Sequence, residues 1–327
     1  MEVVFPRFLL AEFNTHRVFS RNSASSRAIP VWKRLADVIE NPVVPLHFGK
    51  NRPGMQSTEA LSPEDKIAAE ASWLVGRDVA VLQAFSLVGG EEQVIADSRG
   101  NEKALAVCEF IRNLALCYPD VMARLKKMSV GIHKQHANRV LEPYSWHTVI
   151  VTATKWRNFY ALRASKKAQP EIVELANVMA KAHFESGPER LFDGEWHLPY
   201  IFGEDRAEVG QATIEERLKL AKISSGRCAR VSYLTHYGKR SLDADLALAR
   251  DLMSDGHTSP FEHPCRTADK TGAYFGDLGG NFGPYWIQFR KTLESENDFS
   301  HLIQKEDLLL GLGNDQKLFD FVLSLPE

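Results

Sequence analysis

The chain has 327 residues, enough for one large domain or two smaller ones. Hydrophobic residues make up 44% and charged residues 25% of it, which are ordinary values for a globular protein. The formal net charge of -2 provides no global field that would draw the protein to nucleic acid or to an anionic membrane. The sequence therefore predicts neither a nucleic-acid partner nor a membrane partner, while it leaves room for a local basic pocket.

Cysteine usage and the first residues favour a reducing cytoplasm. The four cysteines include no Cys-x-x-Cys pair, which argues against structural zinc and against a disulfide framework. The first residues lack the basic and apolar regions of a signal peptide. No apolar run approaches the roughly 20 residues of a membrane span.

The first elements are predicted to be a strand over 2–5 and a helix over 8–18, in which apolar residues recur four positions apart. Residues 21–29 are rich in serine and asparagine and predict a loop, and a short helix is expected over 31–39. Residues 40–61 hold three prolines and two glycines, which indicates a surface loop.

Helices are predicted to dominate the middle of the chain. Residues 62–65 (Ser-Pro-Glu-Asp) are a strong helix start, with an N-cap serine, a proline at the first helical position and acids in the first turn. The glycine pair at 89–90 is a good stop for that helix. Two more helices are expected over about 102–116 and 118–128.

A strand is expected over 148–152, where the residues are β-branched and apolar. Helices are predicted over 155–163, around 172–179 and over 242–253, and the glycine-rich residues 264–284 predict a mobile loop. The pattern indicates an α+β fold that is helix-rich with a small, mostly antiparallel sheet.

Polar and basic residues are concentrated in three places. The first is 15–27, with the sequence Thr-His-Arg-Val-Phe-Ser-Arg-Asn-Ser-Ala-Ser-Ser-Arg. Arginine offers a planar fork of donors suited to a phosphate or a pair of carbonyls, and loop serines add short donors. Taken alone, a solvated loop with capping serines is the commoner explanation for such a segment.

The second and third places lie far along the chain. The second comprises 139–143 (Arg-Val-Leu-Glu-Pro), 158–163 (Asn-Phe-Tyr-Ala-Leu-Arg) and 168–172 (Ala-Gln-Pro-Glu-Ile). The third comprises 228–233 (Cys-Ala-Arg-Val-Ser-Tyr) and 256–263 (Gly-His-Thr-Ser-Pro-Phe-Glu-His). Taken alone, the arginine that ends 158–163 is more often a surface ion-pair residue, and 256–263 is more often a helix end followed by a Ser-Pro turn.

Together these segments resemble the motifs of the flavin-dependent thymidylate synthase family. In that family the Ser-Tyr and Gly-His-x-Ser-Pro-Phe-Glu-His segments precede the His-Arg segment, whereas here they follow it. The swapped order suggests a circular permutation, in a phage-type variant. This chain departs from the family pattern at Thr15, Ser23, Ala28 and Pro170, where the family has Arg, often Glu, usually Tyr, and Trp.

The resemblance implies one-carbon transfer from methylenetetrahydrofolate to C5 of dUMP, giving dTMP. It implies FAD as cofactor, NADPH as the usual reductant and a homotetramer, in the cytoplasm of a bacterial cell or a phage-infected host. Residues 185–213, polar and irregular, are interpreted as a linker between 1–184, with the His-Arg and nucleotide-binding motifs, and 214–327, with the flavin-site motifs and a tail. Both parts belong to one catalytic domain in this interpretation.

The resemblance also assigns roles to individual residues. It implies catalytic roles for Arg163 and His16, and in particular that Arg163 stabilises negative charge on the pyrimidine carbonyls as C5 becomes nucleophilic. The residues implied to bind the flavin are His16, Arg17, Asn158, Ser232, His257, Ser259 and Glu262. The residues implied to bind the nucleotide are Glu12, Ser23, Ser25, Arg27, Arg139 and Arg163.

Two alternatives to this function stay open. One is hydroxymethylation of the same ring, giving 5-hydroxymethyl-dUMP, and the other is a non-catalytic nucleotide-binding homologue. The sequence also leaves open whether the pyrimidine is dUMP or dCMP. No metal is expected, because the pair His133 and His136 has no obvious third ligand.

Overall fold

The computed structural model describes residues 1–54, 57, 59–233, 241–268, 276–294, 296 and 316–324. Its helices are α1 (Leu10–Phe13), α2 (Val31–Glu40), α3 (Pro63–Leu87), α4 (Gly90–Ser98), α5 (Glu102–Cys117), α6 (Pro119–Lys127), α7 (Lys134–Val140), α8 (Arg157–Arg163), α9 (Pro170–Glu185), α10 (Gly203–Val209), α11 (Ile214–Ala229), α12 (Leu242–Ser254) and α13 (Gln316–Ser324). Its strands are β1 (Glu2–Pro6), β2 (Ser20–Ser23), β3 (Trp146–Thr152), β4 (Trp196–His197), β5 (Cys265–Thr267) and β6 (Trp286–Gln288). The helix-rich α+β prediction is confirmed.

The larger sheet positions the first polar segment. Its strand order is β1-β3-β2, and both pairings are antiparallel. Because side chains alternate across a strand, Val3 and Phe5 of β1 face the same side as Val149 and Val151 of β3, and all four are buried. The opposite face of β3 packs Ile150 against Cys228 and Val231, which are contributed by the end of α11 and the turn after it. The sheet is therefore covered by different parts of the chain on its two sides.

The smaller sheet belongs to the second half of the chain. Its order is β4-β5-β6, also antiparallel, with Cys265 opposite both His197 and Gln288. The 3-10 turn Ser259–Glu262 immediately precedes β5 and buries Phe261 against Phe289 and Leu220. This packing fixes the position of the 256–263 segment.

Three larger apolar clusters form the interior. Helices α2 to α7 contribute one, which includes Leu35, Leu82 and Ile111; the larger sheet with α1, α8 and α9 contributes the second; α10 to α12 with the smaller sheet surround the third. Among the described residues, no single helix is long and apolar enough to cross a membrane, and α3 with α4 passes that test only as a pair bent by 77°.

Most elements expected from the sequence are present. The strand at 2–5, the loop at 40–61 and the helices expected over 31–39, 102–116 and 118–128 are confirmed within a residue or two, apart from one isolated bridge in the loop. Ser62 caps α3 by accepting a hydrogen bond from the backbone N–H of Asp65 at 3.1 Å. The helix ends before Gly89, whose φ of 107° suits glycine.

Four expectations were wrong. The helix predicted over 8–18 ends at Phe13, because Nη1 of Arg21 donates to the carbonyls of Phe13, Asn14 and His16 (3.4, 2.8 and 3.2 Å) and thereby replaces helical hydrogen bonds. The loop predicted over 21–29 begins with β2, since β3 supplies hydrogen-bond partners that the local sequence does not reveal. Helix α10 lies in the predicted irregular linker, and β5 lies in the loop predicted over 264–284, of which 269–275 are outside the described residues.

Candidate functional site

An open cleft of about 1410 Å³ lies between the start of the chain and the residues that follow α7 and α8. Of the residues that the resemblance implies for nucleotide binding, Glu12, Arg139 and Arg163 line it. The charged residues of its lining are Arg7, Glu12, Arg139, Glu142, Arg163, Lys166, Lys167 and Glu171. The cleft is therefore rich in charge of both signs, and what it can bind depends on which of these groups are already paired.

Each carboxylate of the cleft has a partner inside the protein. Glu12 pairs with Arg163, and Glu142 lies 3.6 Å from Arg7. Glu171 accepts a hydrogen bond from the backbone N–H of Leu46 at 2.9 Å.

Three cations of the cleft are not paired in this way. The side chains of Arg139, Lys166 and Lys167 make no ion pair and no hydrogen bond to any residue that the structure describes. Since the carboxylates are engaged, these cations leave the cleft with a surplus of positive charge, which suits an anionic ligand.

The Arg163 guanidinium is held on three sides. Its Nε donates to Nε2 of His16 at 2.8 Å, Nη2 donates to the hydroxyl of Thr15 at 3.1 Å, and Nη1 pairs with Glu12. An arginine carries five N–H donors, so two are left for a ligand. The position where the family has arginine, Thr15, thus supplies an acceptor for Arg163 here.

His16 is neutral in this arrangement. Its Nε2 accepts a hydrogen bond and therefore carries no proton, which places the ring proton on Nδ1. Burial lowers the pKa of His16, and the neighbouring charges of Arg163 and Arg21 lower it further, whereas the hydrogen bond that the ring donates to Asn158 raises it. The ring is 6% exposed and stacks on Phe19 with centroids 5.6 Å apart. His16 therefore orients the guanidinium as an acceptor and not as a cation.

Aromatic packing explains why α8 presents Arg163 to this network. Phe159 is fully buried, with its ring 5.7 Å from that of Phe13 and 5.3 Å from that of Phe19. Such ring pairs contribute about 0.5–1.5 kcal/mol each beyond the area they bury. Residues four apart share one face of a helix, so anchoring Phe159 directs Arg163 toward the same side. The aromatic cluster thereby sets the position of the guanidinium.

A second polar cluster joins the first and third motif segments within one chain. The Ser259 hydroxyl donates to Oδ1 of Asn22 at 2.9 Å, although the two residues are 237 positions apart. His263, which is fully buried, lies with Nδ1 2.9 Å from the Thr152 hydroxyl at the end of β3. The Nδ2 of Asn22 is buried without a hydrogen-bond partner in the described structure. Nδ2 of Asn22 is therefore available to donate a hydrogen bond to a ligand bound between the first and third motif segments.

Gln288 and Arg290, which follow the third motif segment in the chain, complete this second polar cluster. Nε2 of Gln288 donates to the Ser20 hydroxyl at 3.2 Å and to the carbonyl of Glu262 at 2.9 Å. Nη1 of Arg290 donates to the Glu262 carboxylate at 2.5 Å. Glu262 is thus hydrogen-bonded to Gln288 through its backbone and to Arg290 through its side chain.

The other implied residues lie outside the cleft. Ser25 accepts a hydrogen bond from the backbone N–H of Arg27 at 3.2 Å, and the Ser232 side chain lies outside the described part of the chain. Among these residues outside the cleft, the exposed ones are Arg17, Ser23, Arg27, Asn158, His257 and Ser259. The structure therefore brings together Glu12, His16 and Arg163 with Arg139 nearby, but does not bring Arg27 to them.

Sequence reasoning missed several residues of both clusters. Lys166 and Lys167 lie three and four residues after Arg163, and this local concentration of cations was the available signal. Arg7 gave no signal, since a lone arginine after a strand has no motif around it. No group of three or more His, Cys, Asp or Glu residues that could hold a metal ion is found in the described ranges, and His133 caps α7 by accepting from the N–H of Gln135 at 3.3 Å.

Comparison with known proteins identifies the family. The family model for thymidylate synthase complementing protein matches residues 1–189. The chain belongs to this family. Membership in the thymidylate synthase complementing family makes the chain an enzyme of the thymidylate synthase class, with a part in nucleotide biosynthesis. The match spans every residue of the cleft, whereas the 228–233 and 256–263 segments lie outside it. Neither a search of curated proteins nor a search of solved structures gave a match.

Proposed function

We propose that this enzyme transfers a one-carbon unit from methylenetetrahydrofolate to C5 of dUMP, giving dTMP, with FAD as cofactor and NADPH as reductant. The observation that supports it best is the cleft, in which Arg163 keeps two N–H donors for a ligand and three further cations have no partner among the residues that the structure describes. A pyrimidine nucleotide offers the matching chemistry, with ring carbonyls at one end and a phosphate dianion at the other.

Arg139, Lys166 and Lys167 would hold the phosphate. A hydrogen bond to a charged group contributes about 1.5–3 kcal/mol, so three of these contacts contribute roughly 4.5–9 kcal/mol, a range that includes the roughly 8 kcal/mol of micromolar binding. Arg163 would then face the ring, where it stabilises charge on the carbonyl oxygen as C5 becomes nucleophilic. The rigid attachment of Arg163 to Thr15 and His16 favours this role, since a preorganised donor needs little reorganisation during the reaction.

The second polar cluster fits FAD by the chemistry of its donors. The unpartnered Nδ2 of Asn22, the exposed Ser259 hydroxyl beside it and the exposed side chains of Arg17 and His257 suit the carbonyl and phosphate oxygens of that cofactor. FAD would carry the one-carbon unit and supply reducing equivalents when bound. The neutral His16, held between Arg163 and Asn158, would keep the two clusters in fixed relation.

We further propose a homotetramer in which Ser23, Ser25 and Arg27 serve the cleft of a neighbouring copy. Their position outside their own cleft motivates this proposal. The contact between Ser259 and Asn22 supports a circular permutation of the family fold, because it joins the two motif segments whose order is swapped. The enzyme would act in the cytoplasm of a bacterial cell or a phage-infected host.

Product analysis tests the function. Purified protein is incubated with dUMP, methylenetetrahydrofolate, FAD and NADPH, and the nucleotides are separated and identified by mass spectrometry. Formation of dTMP that requires all four components is the expected result. Formation of 5-hydroxymethyl-dUMP instead would assign the chain to hydroxymethylation, and nucleotide binding without any product would favour a non-catalytic homologue. A protein that binds neither FAD nor dUMP would refute the proposal.

A further inference from the structure

A second cavity, of about 490 Å³, lies between α2 and the larger sheet. Helix α2 contributes Arg34 and Asp37, which share one face of the helix because they are three residues apart. The sheet contributes Val4 of β1 and Trp146 and Thr148 of β3. The volume falls within the roughly 300–1,000 Å³ of small-molecule sites. The cavity shares no lining residue with the cleft, so it can hold a ligand of its own.

Arg34 is a buried cation with little compensation from the protein. It is 7% exposed, and its hydrogen bond to the described residues runs from Nη1 to the carbonyl oxygen of Trp146 at 3.2 Å. It makes no ion pair with any residue that the structure describes, and burial lowers its pKa. A buried charge is costly unless it is paired and hydrogen-bonded. Since an arginine carries five N–H donors, four are left for a ligand that brings an oxygen acceptor.

Asp37 adds acceptors to the same cavity. Its carboxylate makes no hydrogen bond and no ion pair to the described part of the chain. Burial raises the pKa of Asp37, although the neighbouring charge of Arg34 lowers it. The two oxygens of a carboxylate can accept two parallel hydrogen bonds, which is how they bind an arginine fork. The cavity therefore presents two acceptors beside a set of donors.

Trp146 gives the cavity an aromatic wall. Its side chain is 38% exposed, and Val4, which lines the same cavity, is 52% exposed. The backbone carbonyl of Trp146 accepts the hydrogen bond from Arg34, so the ring and the guanidinium belong to one arrangement. An exposed aromatic face favours a planar ligand that stacks on it. The ligand expected here is thus a flat ring with polar groups on one edge.

We propose that this cavity binds the guanine ring of a nucleoside, with Arg34 donating to the ring carbonyl, Asp37 accepting from the two adjacent N–H groups and Trp146 stacking on the ring. Guanine alone among the common bases places two donor nitrogens side by side, followed by a carbonyl. Uracil, cytosine and adenine can each place only one donor nitrogen against a carboxylate, whichever way they are turned. Guanosine takes no part in the proposed one-carbon transfer, so this is a second site, independent of the cleft.

The rest of the lining favours a nucleoside over a charged ligand. The pterin ring of a folate has the same edge as guanine, but a folate also carries an anionic glutamate tail. Among the described residues that line the cavity, Arg34 is the one cation, and Glu40 adds a second carboxylate. A glutamate tail or a phosphate chain would meet no further positive partner there. A neutral ribose suits this lining better.

Isothermal titration of the full chain with guanosine tests the site, because a nucleoside has no phosphate that could bind to the cations of the cleft. We expect a dissociation constant below about 1 mM. Inosine lacks the 2-amino group and should bind about 10- to 100-fold more weakly, because a hydrogen bond to a charged group is worth one to two decades in affinity. Excess dUMP should leave the guanosine affinity unchanged, whereas displacement by dUMP would place guanosine in the cleft and overturn the inference.

Asp37→Asn is the deciding variant, because asparagine offers one acceptor and one donor in place of two acceptors. It should lose guanosine affinity by one to two decades and gain affinity for xanthosine, which has a carbonyl in place of the 2-amino group. Glu40→Gln is the matched control, since Glu40 lines the same cavity but already pairs with Lys103 at 2.9 Å. It should change neither affinity. An equal loss of guanosine binding in both variants would trace the binding to the charge of the cavity and overturn the inference.

The remaining outcomes also decide. Equal binding of guanosine, inosine and adenosine would mean that the ligand only stacks on Trp146, and no binding of guanosine up to about 1 mM would leave the cavity without this ligand. Tighter binding of tetrahydrofolate, lost in Asp37→Asn, would assign the cavity to a pterin. Each of these results overturns the inference and leaves the proposed function untouched. Should Asp37→Asn not fold, as judged by its thermal unfolding, the comparison of guanosine with inosine on the wild type decides.

Discussion

Replacing Arg163 by lysine removes a defined set of contacts. Lysine keeps the positive charge and can still pair with Glu12, but it has no planar fork. The hydrogen bonds to His16 at 2.8 Å and to Thr15 at 3.1 Å are lost. The change therefore separates the charge of the side chain from its geometry.

Two magnitudes follow from these contacts. Nε2 of His16 is left without its partner in a side chain that is 6% exposed, and an unsatisfied buried acceptor costs about 1–3 kcal/mol of folding free energy. In the proposed reaction Arg163 is the donor to the ring carbonyl, and loss of one preorganised donor lowers turnover by about 10²- to 10³-fold. We expect Arg163→Lys to bind FAD normally, bind dUMP moderately and lose most of its turnover.

Arg7→Lys provides the matched control. Arg7 lines the same cleft, lies 3.6 Å from Glu142 and donates to Nε2 of His147 at 3.3 Å, so it also has a glutamate and a histidine as partners. The assay measures steady-state turnover and dUMP affinity for both variants, with chemical denaturation to report stability. Arg7→Lys should lose similar stability and keep its turnover.

A near-wild-type turnover number for Arg163→Lys with only a raised KM would refute the reasoning. It would make Arg163 a residue that positions the nucleotide, and the group that stabilises charge would have to be sought elsewhere, at Arg139 first. Equal loss of turnover in both variants would show that the cleft responds to any change of arginine.

Further predictions address binding, packing and pH. Arg139→Ala should raise the dUMP dissociation constant about 10- to 100-fold in isothermal titration, and an unchanged value would remove Arg139 from the phosphate site. His257→Ala should release FAD on gel filtration while the far-ultraviolet circular dichroism stays native; full retention would contradict the flavin assignment. Phe159→Ala should cost about 3–5 kcal/mol in chemical denaturation, and a loss below that range would mean that the aromatic cluster collapses around the gap. Burial lowers the pKa of His147 and His263 from 6.5 to about 3, so the unfolded chain binds more protons between these values and stability falls as the pH falls from 6.5 toward 3. The Tm should decrease over this window, less steeply in His147→Gln, and a flat profile would contradict the assignment.

The sequence was most informative where local chemistry decides structure. The N-cap at Ser62, the glycine pair at 89–90 and the apolar strand at 148–152 determine their own conformation through hydrogen bonds or packing within a few residues. The resemblance implied Glu12 for the nucleotide, His16 for catalysis and the flavin, and Arg163 for catalysis and the nucleotide, and Arg163 contacts the other two residues. In both cases the information lies in short segments of chain.

The sequence was least informative where the partner is distant. Strand β2 is polar, with the residues Ser-Arg-Asn-Ser, and forms because β3 pairs with it on one edge and the 256–263 segment covers it. The same holds for the cleft: Lys166 and Lys167 become candidate ligand-binding residues only once the fold has engaged every nearby carboxylate elsewhere. Local patterns contain no information on such pairings.

The joint between β2 and the end of the chain has a consequence for synthesis on the ribosome. Ser20 and Asn22 emerge early, but Ser259 and Gln288 follow them by 237 and 268 residues. At about 5–20 residues per second, the first of these partners is delayed by roughly 12–47 s. The larger sheet can form only after β3 has been made; from then on Ile150 waits for Cys228 and Val231, and the polar strand waits for Ser259. This later part of the interval is the one in which a chaperone would protect the protein most.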